Sequence, residues 1–222
     1  MYRRNQVETA IERVTCGVHT APQLASGLRV RIKRLIETDR AMGADRRSRD
    51  PRERHYAFFD EPPPGRGTEV TYSDLGAFAL FLALRLMDAG LPQSETVLFV
   101  RRIRPELEEE HSRILARKWE SLIDHKASKT LENEVANGQL VEGFDRMEFL
   151  VALAGQVTVQ VGYDGEVSSA NIVRGKEQLT KLLAHLAAWG GAPIICIELV
   201  NPAHQLAYWL SRTEPTKRGR KK

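Results

Sequence analysis

From Leu75 to Met87 the chain reads Leu-Gly-Ala-Phe-Ala-Leu-Phe-Leu-Ala-Leu-Arg-Leu-Met, with Arg85 its only charge. Ser73 and Asp74 precede it and can accept from the free amides of a first helical turn, and Gly90 is a good stop. A helix that is apolar on almost every side has no face to offer water, so it must lie inside a domain or between subunits. Other helices therefore have to surround it. The uninterrupted apolar run, Ala77–Leu84, falls well short of the roughly 20 residues that span a bilayer, and no membrane partner is expected. The opening Met1-Tyr-Arg-Arg-Asn-Gln has no apolar stretch of the kind a secretory leader needs. Cys16 and Cys196 are too few and too far apart for a disulfide scaffold or a metal knuckle, and are expected as buried, reduced thiols of a cytoplasmic protein.

Upstream, Val7, Ala10, Ile11 and Val14 fall on one stripe of a short helix, Asn5–Val14. Gly17 and Pro22 break it. A second helix is expected over Gln23–Met42, where Leu24, Leu28, Ile32, Leu35 and Ile36 have helical spacing and Gly43 is a stop. Ala44–Glu53 is charged or small almost throughout and reads as a mobile loop. Tyr56–Phe59 and Thr68–Thr71 flank the turn-forming Pro62–Gly67, the pattern of a two-stranded ribbon with a long tip.

Downstream, a helix is expected from Pro92–Ser94 to Arg104, and Pro105 either interrupts it or begins another. Pro105–Lys126 carries Leu107, Ile114, Leu115, Trp119, Leu122 and Ile123 as a narrow apolar stripe, and Glu106, Glu108, Glu109 and Glu110 load its first turn. The stripe suits either a coiled-coil seam or packing on its own domain. The polar segment Ala127–Gly143 reads as a boundary. Beyond it, strands at Met147–Ala154 and Val157–Val161, a turn at Tyr163–Glu166, a helix over Glu177–Trp189 with Leu183 among its inward residues, a buried strand Pro193–Leu199 and a last helix capped by Asn201 spell β-β-α-β-α. The fold class expected is a mainly α N-terminal winged helix-turn-helix domain over residues 1–104, a helical linker over 105–143, a small α+β domain over 144–213 and a disordered basic tail over 214–222.

Enzymatic signatures do not occur. The sequence has no phosphate-binding glycine loop ending in Lys-Ser/Thr, no dinucleotide glycine fingerprint, no zinc-protease His pair and no nucleophile elbow. Its six histidines lack ligand spacing; His185 is expected to be packed or half-exposed, and His111 and His125 solvated. No enzyme, cofactor or metal is expected. Glu198 is out of place in an apolar strand. It either points outward or pairs with an arginine, or else it touches a small-molecule or protein ligand.

The net charge of +4 conceals an uneven distribution. Arg29, Arg31, Lys33 and Arg34 crowd one stretch of the second helix, and Arg46, Arg47 and Arg49 follow in the loop. Clustered cations release counterions from phosphate backbones, and arginine also reads guanine edges. A solvated face paired with Glu37 and Asp39 is the ordinary alternative. Short helix, turn, basic helix and ribbon is the order of a winged helix-turn-helix, with Arg66 at the wing tip beside phosphate. In the tail, Lys217, Arg218 and Arg220 resemble a minor-groove arm and could equally be a solubilising end.

Tyr72-Ser-Asp-Leu75, the apolar helix with Arg85 near its end, and the Asp88-Ala-Gly90-Leu91 turn before Ser94 together resemble the post-wing segment of MerR-type regulators, most clearly over residues 72–98. Leu28-Arg29 keeps part of that family's recognition-helix pattern, whereas Val30-Arg31-Ile32 replaces its aromatic-acid pair. The resemblance implies a dimer paired through the helix from Pro105 and a C-terminal effector domain. The function expected is thus a dimeric, sequence-specific regulator of transcription that binds double-stranded DNA and answers to a small-molecule or protein effector. The alternative is a protein-interaction adaptor whose basic helical face meets an acidic partner.

Overall fold

The computed structural model describes residues 1–16, 22–63, 70–117, 148–153, 170–187 and 194–215. It is mainly helical, with a few short strands. In chain order the elements are β1 (Tyr2–Arg3), α1 (Arg4–Cys16), α2 (Pro22–Met42), α3 (Pro51–Arg54), β2 (Thr71–Tyr72), α4 (Asp74–Asp88), α5 (Gln93–Leu115), β3 (Glu148–Leu153), β4 (Ala170–Arg174), α6 (Gly175–Ala187), β5 (Ile194–Glu198) and α7 (Val200–Arg212). The chain divides into two compact units, Met1–Glu108 with Gln205–Lys222 and Glu109–His204. These divisions fall inside α5 and α7.

In the first unit, α4 has the expected burial: every residue from Leu75 to Leu84, and Leu86, is buried. The Ser73 side chain accepts from the Gly76 amide at 3.0 Å. At the other end, Gly90 adopts φ +100°, so that its amide reaches the Met87 carbonyl (3.0 Å) and the Leu91 amide reaches the Leu86 carbonyl (3.1 Å). This is the paired closure that a left-handed glycine allows. Gly76 also permits a close approach, since a Cβ there would lie 2.7 Å from the Phe58 carbonyl oxygen. Packed around α4 are α1, through Val7, Ala10 and Ile11, and α2, through Leu28, Ile32, Leu35 and Ile36, all buried.

Thr71–Tyr72 does form a strand, but its partner is the N-terminus: Tyr2 pairs with Tyr72 and Arg3 with Thr71, antiparallel. Tyr56–Phe59, expected as the other ribbon strand, is irregular. Tyr72 is buried, with its ring 5.5 Å from that of Phe59, and burial pushes its phenol up to about 12. Gln6 closes the start of α1 by accepting from the Arg3 amide (2.9 Å), and its own amide donates to the Thr213 carbonyl (2.6 Å). Arg13 lies over the Trp209 ring, which ties the end of α7 to α1 a second time.

The irregular Tyr56–Phe59 segment is held by a side chain. Asp39, which is fully buried on the apolar stripe of α2, accepts from the Ala57 amide (2.9 Å), the Phe58 amide (3.2 Å) and Arg101 Nε (2.7 Å). A solvated face pairing with Asp39 was the alternative reading of the basic helix; the position of Asp39 three and four residues after Ile36 and Leu35 puts it on the buried stripe. Arg101 also donates to the Asp39 and Arg52 carbonyls, while Arg104 donates to the Ala57 carbonyl (2.6 Å) and meets the Asp60 carboxylate. Burial pushes the Asp39 carboxyl above its ordinary range, and the Ala57 amide, Arg101 and the Phe58 amide pull it back. Ala44–Glu53, expected as a mobile loop, is built around Asp50, which caps α3 by accepting from the Arg52 amide (2.8 Å).

Pro105 does not break the chain. It lies inside α5, which runs from Gln93 to Leu115. Proline costs an interior helix one backbone bond, but buried neighbours on both sides of it, Ile103, Arg104 and Leu107, hold the helix through the gap. Leu107 and Ile114 of the expected apolar stripe are buried. So is His111, which was expected to be solvated.

In the second unit, β3 is central in an antiparallel sheet of order β4-β3-β5. The β-β-α-β-α order is present among the described residues, but the second strand is Ala170–Arg174; Val157–Val161 and the turn at Tyr163–Glu166 lie outside them. Phe149, Val151 and Val173 form an apolar cluster against Leu179 and Leu182 of α6, whereas Leu183 faces outward. β5 was expected to be buried, yet it exposes Ile194 and Cys196, and among the described residues it is an edge strand.

Asp39→Ala leaves the Arg101 guanidinium uncompensated and two amides unpaired. The expected loss is about 3–5 kcal/mol, read from urea unfolding followed by circular dichroism. Wild-type stability in this variant would show that the Asp39 network is dispensable.

Candidate functional site

The basic residues of α2 divide into two groups according to what their side chains touch. Arg29 is exposed and only loosely paired with Glu8 (3.9 Å). Lys33 is equally exposed, 3.6 Å from Glu37 one turn on. Arg34 is exposed. Arg31 differs: its guanidinium donates to Asp88 (2.6 Å) and to the Leu84 carbonyl (3.3 Å), both in α4. Arg85 reaches the same Asp88 carboxylate at 3.2 Å, with its guanidinium over the Phe81 ring. Arg31 therefore fastens α2 to the C-terminal end of α4, while Arg29, Lys33 and Arg34 remain on the surface. The sequence marks Asp88 as part of a turn and not as a partner for a cation; its signal is its place at the end of a buried helix, where an exposed carboxylate can meet a neighbouring cation.

Gln93 adds a second clasp, donating to Thr38 Oγ1 at 2.6 Å. Together with the buried Leu28–Ile36 stripe, these contacts fix α2 on its inner side and along one flank. The outer side keeps its charge.

Past α2, Arg46 pairs with Glu61 (2.7 Å) with both partners well exposed, and Arg47 and Arg49 are exposed. Arg40 is exposed too, and its guanidinium lies over the Phe59 ring. Arg66 at the expected wing tip and Lys217, Arg218 and Arg220 of the tail lie outside the described residues. A cleft of about 450 Å³ beside this segment brings Arg46, Arg54 and Arg104 toward Asp60 and Glu108. Asp60 meets Arg104 and Glu61 meets Arg46, so the charges there are largely offset. Among the described residues, no group of three or more His, Cys, Asp or Glu side chains is placed to hold a metal ion. No described helix is long and apolar enough to cross a membrane.

Glu198 has a local task. Its carboxylate accepts from the Val200 amide (2.7 Å) and the Asn201 amide (3.0 Å), closing the start of α7. Asn201, expected as the cap, lies inside the helix as a donor to it. Burial lifts the Glu198 carboxyl above its ordinary range, the Asn201 and Val200 amides oppose this, and the charge of Glu148 adds to the rise.

No family model, no curated protein and no solved structure matches the chain.

Two outcomes follow from these placements. Arg31→Ala should lower stability by about 1 kcal/mol, whereas Arg29→Ala and Arg34→Ala should stay within about 0.5 kcal/mol of wild type; equal thermal shifts for all three would refute the division. For Glu198, a carboxyl whose pKa is higher in the folded state holds its proton more tightly there. Its support for folding is present below the ordinary carboxylate range and is lost as pH rises through the raised value. Glu198→Gln keeps an acceptor and removes this titration, so its stability should fall less than that of wild type over that interval. Glu198→Ala should cost about 1 kcal/mol as a lost cap.

Proposed function

We propose that the chain is a DNA-binding regulator of transcription that presents the outer side of α2 to double-stranded DNA. The observation that carries this reading is the exposure of Arg29, Lys33 and Arg34 within six residues of one helix whose opposite side is buried. A helix fixed on one side and cationic on the other has the form needed to enter a major groove. Both ion pairs on that surface are long; Glu37 is exposed and phosphate oxygens can replace it at little cost, and Glu8, partly buried, keeps Arg4 (2.7 Å) when Arg29 leaves it. Arg46, Arg47 and Arg49 would then meet the backbone beside the groove. Arg31 is assigned a positioning role, through Asp88 and Leu84.

The resemblance of residues 72–98 to the post-wing segment of MerR-type regulators supports the same reading. Through that resemblance the proposal extends to a dimer and to an effector acting on the C-terminal half. The paired strand Thr71–Tyr72 leads directly into the Ser73 cap, so the segment that carries the resemblance is anchored at its start.

The test is retention of random-sequence duplex DNA across a salt series. Binding should weaken steeply as salt rises, and the Arg29→Ala/Lys33→Ala/Arg34→Ala variant should reduce the slope of log K against log salt by about 3. Loss of affinity with an unchanged slope, or no retention at low salt, would exclude α2 as the contacting element.

A further inference from the structure

Val30 is 48% exposed in the middle of this cationic surface. It is two residues from Leu28 and two from Ile32, both buried, so it lies on the opposite side of α2 from each. One turn back along the same side are Ser26 and Gly27, and one turn forward are Lys33 and Arg34. A Cβ at Gly27 would meet nothing within 4 Å, so the surface beside Val30 is open. The outward side of α2 is thus built of small residues at its centre, with Val30 its apolar side chain and cations at its edges. Nothing in helix formation calls for valine there, since a β-branched residue is a poorer helix former than the alanine or charged residues that an exposed position accepts.

In the major groove the thymine C5-methyl is the apolar group a side chain can meet, and it distinguishes thymine from cytosine at that edge. Small residues at the centre of a helix face allow its backbone close to the base edges, while longer cations at the margins reach the phosphates. We infer that Val30 is a specificity-determining residue that packs against a thymine methyl, so that the site read by α2 contains a thymine at a fixed place between the phosphates held by Arg29, Lys33 and Arg34. The inference rests on the DNA-binding reading, and adds to it which base is read and by which side chain.

The experiment uses the full chain and a duplex recovered by selection from a random pool. Each thymine in turn is replaced by deoxyuridine, which removes only the methyl. Wild type should lose affinity by about fourfold at one thymine per half-site, the effect of withdrawing one buried methyl group. Val30→Ala, at an exposed position, should melt with wild type and show no penalty at that thymine. If no thymine is sensitive in wild type, or if the penalty persists in Val30→Ala, the assignment is overturned while DNA binding stands. Penalties that are untouched by the variant, together with loss of a protein partner, would mark Val30 as a protein contact instead. Failure to recover any duplex overturns both readings.

Discussion

One carboxylate organises the first unit. Asp39 gathers two backbone amides of the Ala57–Phe58 segment and the Arg101 guanidinium into a site that water does not reach. The carboxylate and its three partners come from three places: the helix that carries Asp39 is α2, the amides belong to an irregular stretch, and the guanidinium belongs to α5. A segment without strand or helix of its own has no ladder to satisfy its amides, and here a side chain takes the place of the ladder. Arg104 completes the arrangement by binding the Ala57 carbonyl. The segment so fixed presents the Phe58 carbonyl to Gly76, where α4 comes closest. Packing of the central apolar helix thus depends on a charge pair that apolar patterning alone would not suggest.

This explains which parts of the fold were legible. α1, α2 and α4 follow from apolar spacing, with ends near their caps, because each buries a stripe or a whole surface and the code for that is local. The ribbon was misread because strand pairing is not local: Thr71–Tyr72 pairs with Tyr2–Arg3, nearly seventy positions away, while Tyr56–Phe59 has the composition of a strand but its amides are taken by Asp39. A charged residue in register with Leu35 and Ile36 was the available sign, as were Arg101 and Arg104 in register with Val97 and Val100. Pro105 was read as a break because proline removes one bond, yet the packing of residues on both sides of it outweighs that loss. Of the candidate interface, the cluster of cations was visible. Which of them would be used up was not, since the division between Arg31 and its neighbours is made by Asp88, on a different helix.

That division gives α2 two kinds of charge with different chemistry. Arg31 is bound to a carboxylate and a carbonyl that hold its guanidinium on one flank. Arg29 and Lys33 are held weakly and keep most of their rotamer freedom. The first sets where the helix lies, and the others decide what it can approach. Arg85 on the shared Asp88 carboxylate strengthens the arrangement, because one acceptor restrained by two cations is less free to rotate away from either.

The first unit is also assembled from segments far apart in the sequence. Gln6 holds the Thr213 carbonyl and Arg13 covers Trp209, so the N-terminal helix acquires part of its packing from residues translated about two hundred positions later. During synthesis the intervening residues leave the ribosome while that side of α1 is still uncovered, and only translation through Thr213 supplies the groups that cover it. Completion of the first unit therefore waits on residues 205–215: a ribosome stalled before residue 205 holds a nascent protein whose earliest helix still lacks these partners.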